Sequence, residues 1–305
     1  MLIRGCNKEM FSVEISLVSI LVSILLCFYV YKKDRIEKEP LWLLVLLFIV
    51  GAVVFLPASY LQKTIFGAID GVFKGDIIFS PEGVASFSGV GTEVLYNALV
   101  CFASAFAIEG FKWLCLFSIT AKNRNFNCLF DGIVYSAFVS LGFAAAENLV
   151  YSYQNGFDNL VLRSLVTVPS HLFFGIFMGF FYSVWHTVFA ADKLEKELIV
   201  KEVLTVKKMK SSAIWLVLSV FSPITLNFLF NFCASFSNYT MKMIFDALTV
   251  IIYVVCVLFV NRFSLVDGAT NKIAAGILLK KHPEISAEDI GFSDILIEEE
   301  EPSDE

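Results

Sequence analysis

Phe102-Ala-Ser-Ala-Phe-Ala-Ile-Glu109-Gly-Phe-Lys112-Trp113 is an apolar run broken by one carboxylate and one ammonium. Two later runs are broken in the same way. Leu141-Gly-Phe-Ala-Ala-Ala-Glu147-Asn148-Leu149 holds a second carboxylate, and Val168-Pro-Ser-His171-Leu-Phe-Phe-Gly175 holds an imidazole. An ionisable side chain at the centre of a bilayer costs at least about 2.5–3.5 kcal/mol on insertion scales, so a chain that keeps one there generally uses it. Three on successive spans point to one polar constellation inside a helix bundle.

The rest of the chain supports the membrane reading. Of 305 residues, 57% are hydrophobic and only 17% are charged, and the mean hydropathy is +0.75. A soluble domain is about 45–50% apolar and about 25% charged. About 20 apolar residues cross the hydrocarbon. Seven segments qualify: Phe11–Tyr31, Pro40–Leu61, Glu93–Ile119, Phe126–Tyr151, Arg163–Ala190, Ala213–Phe236 and Met243–Val260. Each is expected to be helical, because a bilayer leaves a non-barrel segment no other way to satisfy its backbone. The first is read as a retained span rather than a removed signal, since Lys32-Lys33-Asp34-Arg35 follows it and no small-residue cleavage site does. The expected class is all-α, a polytopic membrane bundle of about seven transmembrane helices.

Orientation follows from the loops. Lys32–Glu39 carries four Lys/Arg, Ala121–Asn125 two and Ala191–Ser212 six, whereas the long Gln62–Gly91 loop carries two. The positive-inside rule puts the basic loops and the C-terminus in the cytoplasm and the N-terminus outside. The net charge of −6 belongs to the tail. Ser264–Glu305 has 11 acidic residues and three Lys, while the remainder has 20 basic and 18 acidic residues, a net of +2. Nothing here suggests a nucleic-acid partner. The expected organisation is two N-terminal helices and an extracytoplasmic loop over 1–91, a catalytic membrane core over 92–262, and an acidic, unstructured cytoplasmic tail over 263–305. His186 and His282 read as interfacial and solvated. The seven cysteines form no C-x-x-C pair and read as small buried residues.

Glu109 and Lys112 are three apart and share a helical face, where an ion pair would soften the insertion cost. Glu147 has Asn148 beside it as an orienting amide, and a buried carboxylate suits general acid–base work. Gly175 and Gly179, four residues apart after His171, let another helix approach closely. Asn227 and Asn231 share a face and could donate to an oxyanion or pair helices. There is no H-E-x-x-H, G-x-S-x-G or P-loop. What remains is two carboxylates, an imidazole and an amide pair. That set could activate a water on a peptide carbonyl. Glu109, Glu147 and His171 could equally offer a His and two carboxylates to one divalent metal, zinc above all.

In order and spacing these residues resemble the PrsW family of intramembrane proteases, within the wider group of CAAX-processing and bacteriocin-processing membrane peptidases. The family's Glu-Glu-x-x-Lys motif is matched by Ile108-Glu109-Gly110-Phe111-Lys112, and its second block by Asp131-Gly-Ile-Val-Tyr135 with Leu141–Tyr151. Its third block resembles Arg163 and Val168-Pro169-Ser170-His171, and its His-x-x-x-Asn/Asp motif aligns with Asn227–Asn231. The resemblance covers about Phe102 to Asn231. It departs from the family twice, at Ile108 for the first Glu and at Asn227 for the His.

The resemblance implies a membrane-embedded peptidase that cuts a single-span protein, such as an anti-sigma factor in stress signalling, near the extracytoplasmic side. It implies the cytoplasmic (inner) membrane of a bacterium as the location. The roles that follow are Glu109 or Glu147 as general base and His171 as water orienter or metal ligand. Asn231 with Asn227 would hold the oxyanion, and Lys112 would set a carboxylate's charge. The two departures favour a second reading, a catalytically degraded relative that binds a membrane partner without cutting it. A small transporter is the third, against which the chain has no inverted second copy of its Glu-bearing spans.

Overall fold

A computed structural model describes residues 20–79, 85–155, 160–236 and 238–291. It is a helix bundle with one small hairpin. Helix α1 is described over 20–33. Then come α2 (Leu41–Val72), strands β1 (Ile77–Phe79) and β2 (Ala85–Phe87), α3 (Val90–Thr120), α4 (Asp131–Asn155) and α5 (Leu160–Val200). The chain continues through α6 (Ala213–Ala234), α7 (Tyr239–Leu265) and α8 (Thr270–Lys281). The strands pair antiparallel, Ile77 opposite Phe87.

Among the described residues six helices, α2 to α7, are long and apolar enough to cross a membrane. The first expected span, Phe11–Tyr31, lies partly outside the described residues. The helices overrun their expected ends. Gln62 to Val72, read as loop, continues α2. The stretch Ala191–Val200, also read as loop, continues α5 to 41 residues. At about 1.5 Å per residue α5 is about 60 Å long, twice the roughly 30 Å hydrocarbon core, so it projects well beyond it.

Helix α4 is the centre of the bundle. Its small residues let neighbours close in. A side chain at Gly51 of α2 would strike the Val139 carbonyl of α4, and one at Gly142 would strike the Phe48 carbonyl of α2. On the other side Gly175 and Gly179 of α5 lie against Ser140 and Gly132 of α4, and Ser136 Oγ donates to the Gly175 carbonyl at 2.7 Å. Small residues and cross-helix hydrogen bonds supply association where lipid is as apolar as leucine. Pro169 inside α5 deprives the Leu165 carbonyl of its helical donor. The Tyr253 hydroxyl of α7 donates to that carbonyl instead. Outward faces are apolar, as Leu41, Trp42, Val53 and Leu56 on α2 and Val250, Val254 and Leu258 on α7 illustrate.

The first two basic loops and the junction after α7 gather at one end. Asn127 donates to Glu37, the Phe130 N–H to Asp267, and the Thr270 N–H to the Asn127 carbonyl at 2.6 Å. The expected unstructured tail from 263 is corrected here, because α8 packs on the projecting end of α5 through Leu198, Leu204, Met209, Ala274 and Leu278. His282 is not solvated but fully buried. Its Nε2 lies 2.8 Å from Glu195, whose carboxylate also accepts from the Lys208 and Met209 N–H groups. Apolar surface on α8 and a fixed carboxylate on α5 explain the docking. Residues 292–305 lie outside the described part. His186 is half-buried and stacks on Phe126 at 4.0 Å.

Candidate active site

Four helices converge on one polar chain toward the end opposite the basic loops. Helix α3 supplies Glu109 and Lys112, α4 Glu147, α5 Arg163 and His171, and α6 Asn227 and Asn231. The Lys112 ammonium donates to Glu109 Oε1 at 2.7 Å and stands 3.3 Å from His171 Nδ1. His171 Nε2 lies 2.9 Å from Glu147 Oε2. An ammonium at Nδ1 assigns the tautomer: Nδ1 accepts, and Nε2–H donates to Glu147. Arg163 sits 3.7 Å from the other Glu147 oxygen. Asn227 Nδ2 donates to Glu109 Oε1 at 2.7 Å, and Asn231 Nδ2 donates to the Asn227 side chain. The chain runs Arg163–Glu147–His171–Lys112–Glu109–Asn227–Asn231.

Its charges balance, two carboxylates against one ammonium and one guanidinium. That is how a membrane interior tolerates them, since an unpaired buried charge is far costlier. Glu109 and Lys112 are fully buried, and the Lys112 ammonium lies over the Phe143 ring at 5.3 Å. Glu147 keeps about a quarter of its side chain exposed. This difference separates the carboxylates. Glu109 is enclosed by its partners, although its Oε2 has no hydrogen-bond partner among the described residues. Glu147 and His171 instead line a cavity of about 100 Å³ with Ser104, Ile108, Asn227 and Asn231. A space of that size admits several waters.

Each expected site residue is therefore in this chain, in three arrangements the spacing does not give. Lys112 lies between Glu109 and His171. Asn148 does not orient Glu147; it exchanges hydrogen bonds with Thr167 at 3.2 and 3.3 Å. Asn227 is spent on Glu109 and Asn231 on Asn227, which makes the amide pair a brace for Glu109. Arg163 is the member to which sequence reasoning gave no role. Its signal was a lone arginine at the start of an apolar span.

Glu109, Glu147 and His171 do not converge as a metal set. Among the described residues no group of three His, Cys, Asp or Glu could hold an ion. A catalytic zinc takes three protein ligands. The cavity offers Glu147 and His171, and Ile108 and Asn227 line it where the family motifs would place a carboxylate and an imidazole. With Nδ1 facing an ammonium and Nε2 facing Glu147, the imidazole has no lone pair to give. As arranged, these residues do not fit the ion.

Comparison with known proteins gives the family. Residues 39–260 match the model of the PrsW family intramembrane metalloprotease. The chain is similar to the Protease PrsW of Oceanobacillus iheyensis (36% identical over 50% of this chain and 60% of that one). It is also similar to those of Geobacillus kaustophilus (34%, 50% and 59%) and Halalkalibacterium halodurans (30%, 68% and 76%). The match thus spans about three fifths of the first two relatives. No solved structure matches.

Proposed function

The chain belongs to the PrsW family of intramembrane metalloproteases, and from that premise we propose that it hydrolyses a peptide bond of a membrane protein with Glu147 as general base. One observation carries the choice: Glu147 is the carboxylate that reaches the cavity, while Glu109 is closed off behind Lys112 and Asn227. In this reading a water in the cavity attacks the carbonyl as its proton passes to Glu147, which then gives that proton to the amide nitrogen as the C–N bond breaks. His171 holds Glu147 through Nε2–H, and Lys112 holds His171 in that tautomer through Nδ1. Asn231, on the cavity wall, would meet the developing oxyanion by turning its Nδ2 away from Asn227. Glu109 positions Lys112. No step passes through a metal.

Depth supports an extracytoplasmic cut. Glu147 lies sixteen residues beyond Asp131 in α4, so about 24 Å from the end that carries the basic loops. With those loops in the cytoplasm, this depth favours a base in the outer part of the core. A single-span substrate such as an anti-sigma factor fits this depth, in the cytoplasmic membrane of a bacterium.

The second reading is a binding protein that holds a membrane helix uncut. It is favoured by Ile108 and Asn227 both lining the cavity. The deciding experiment compares membrane-protein N-termini in host cells carrying the normal gene or the Glu147→Ala, His171→Ala variant at matched expression. A terminus present only with the normal gene establishes the protease and names its substrate. Identical termini under several stresses would turn the choice to the binding protein, which crosslinking to a bound partner then tests.

A further inference from the structure

Glu147 and Arg163 line a second space outside the first. It is an open groove of about 410 Å³ between the far end of α2 and the end of α4, walled by Phe55, Leu56, Tyr60 and Lys63. Its size is that of a ligand-binding cleft, about 300–1,000 Å³. Because Glu147 and Arg163 belong to both spaces, this pair is the partition between groove and inner cavity.

The partition is half-built. The Arg163 guanidinium stacks on the Tyr151 ring at 3.9 Å, and its nearest contact with Glu147 is 3.7 Å, too long for a direct hydrogen bond. Its Nε is buried and has no partner among the described residues. Stacking fixes the plane of the fork, and its Nη2 reaches Glu147 only at 3.7 Å. Such a planar fork matches a carboxylate in bidentate geometry. Lys63 stands exposed on the opposite wall and adds a second positive charge. Arg163 balances Glu147, so Lys63 leaves the groove with one net positive charge among apolar and aromatic walls.

We propose that this groove is the binding site for an extended, acidic segment of the substrate, whose Asp or Glu carboxylate engages Arg163 and Lys63 and lays the adjoining backbone across Glu147. The inference rests on the reading of Glu147 as the base. It adds a substrate class, a membrane protein with an acidic residue beside the cut, and makes Arg163 a specificity residue. An anionic lipid headgroup would answer the same charge but would present no bond to Glu147.

The test uses the full-length chain in phosphatidylcholine vesicles. The probe is a synthetic single-span Leu/Ala peptide with a flexible extracytoplasmic flank, one photoreactive leucine, and Glu, Gln or Lys at one flank position. Cross-linked residues and new termini are both read by mass spectrometry. The Glu probe is expected to label α2 near Tyr60 about five-fold more than the Gln probe, in line with one solvated ion pair. Lys63→Gln and Arg163→Gln should each reduce that preference, and Lys63→Glu should turn it toward the Lys probe. Lys63 is exposed, so that variant folds whatever becomes of Arg163→Gln. Equal labelling by all three probes overturns the proposal. So does a preference that Lys63→Glu leaves unchanged, or loss of labelling on adding a few per cent phosphatidylglycerol, which would assign the groove to lipid. Preferential labelling without any cleavage would uphold the groove and overturn the protease.

Discussion

Between α3, α4, α5 and α6 each buried charge meets its opposite, Lys112 against Glu109 and Arg163 against Glu147, with His171 bridging the pairs. At the basic-loop end of the same bundle, Asp34, Glu39 and Asp131 are buried too, and they face other carboxylates. Lys38, a cation beside Asp34, gives its hydrogen bonds to the Tyr31 and Asp34 carbonyls instead. The first cluster is neutral, bordered by a cavity, and joins four helices. The second has its main hydrogen bonds in structural places. Asp131 accepts from the Asn127 and Cys128 N–H groups ahead of α4, and Glu39 accepts from the Tyr135 hydroxyl at 2.5 Å. Buried carboxylates alone therefore do not mark the site. What distinguishes it is a carboxylate held by an imidazole at the edge of open space.

The sharpest way to break this comparison is to neutralise one carboxylate in each cluster. Glu147→Gln should lower cleavage of the substrate by about 10²–10⁴-fold, the usual contribution of a general base. Glu39→Gln should leave cleavage within about two-fold of normal on the same argument. Quantified product termini from vesicles are the measurement. A Glu147→Gln chain that still cuts at the normal rate removes the proposed mechanism.

Charge pairing itself comes next. Lys112→Met leaves Glu109 buried without its cation, and breaking a buried pair costs about 3–5 kcal/mol. Thermal unfolding in detergent should show that loss. Adding Glu109→Gln should recover most of it, because both charges are then gone. If the single and double variants melt alike, the pair does not hold the site together.

The acidic end predicts a pH dependence. Burial, with help from neighbouring carboxylates, raises the Glu39 carboxyl to about 7 and that of Asp34 to about 6. The folded chain therefore holds protons that the unfolded chain has released. Stability contributed by these groups is full below about pH 4 and falls as pH rises through 6 and 7. Glu39→Gln should remove part of that slope and stabilise the chain by about 1–3 kcal/mol at pH 8, with little gain at pH 4. Parallel slopes for the two chains would show that Glu39 does not titrate there.

Which parts of this were legible beforehand follows from what repeats along a sequence. Apolar length revealed the spans, and isolated Glu109, Glu147 and His171 revealed that something polar lies among them, since the insertion cost is a local property. Helical spacing gave the Glu109–Lys112 pair. Contacts between helices had no such signature. That Asn148 turns to Thr167, that Lys112 reaches His171, and that Arg163 closes the cavity all depend on helix rotation, which the uniformly apolar faces leave open. The overrun of α2 and α5 was hidden because hydropathy finds the membrane-crossing part of a helix and not its end. The docking of α8 was hidden because a 12-residue helix is too short to register as a span, and the acidic residues after it give the whole segment the composition of a tail.

The smallest effect expected is that of metal. The cavity brings together one carboxylate and one imidazole, and the ammonium of Lys112 occupies the approach between His171 and Glu109. A cation entering there would have to displace Lys112 against the charge it balances. Vesicle-bound chain treated with a strong chelator should keep its activity within about two-fold, and desalted chain should retain no zinc, because three protein ligands are wanting. The Ile108→Glu, Asn227→His variant adds two donors to the same cavity wall, and after zinc loading and desalting it should retain about one ion per chain. Zinc content is read independently of cleavage, so the result stands even for a chain that cuts nothing. Should the normal chain hold zinc and lose activity on its removal, Lys112 must swing out of the position described here. The neutral cluster would then be a resting arrangement that opens to take its metal.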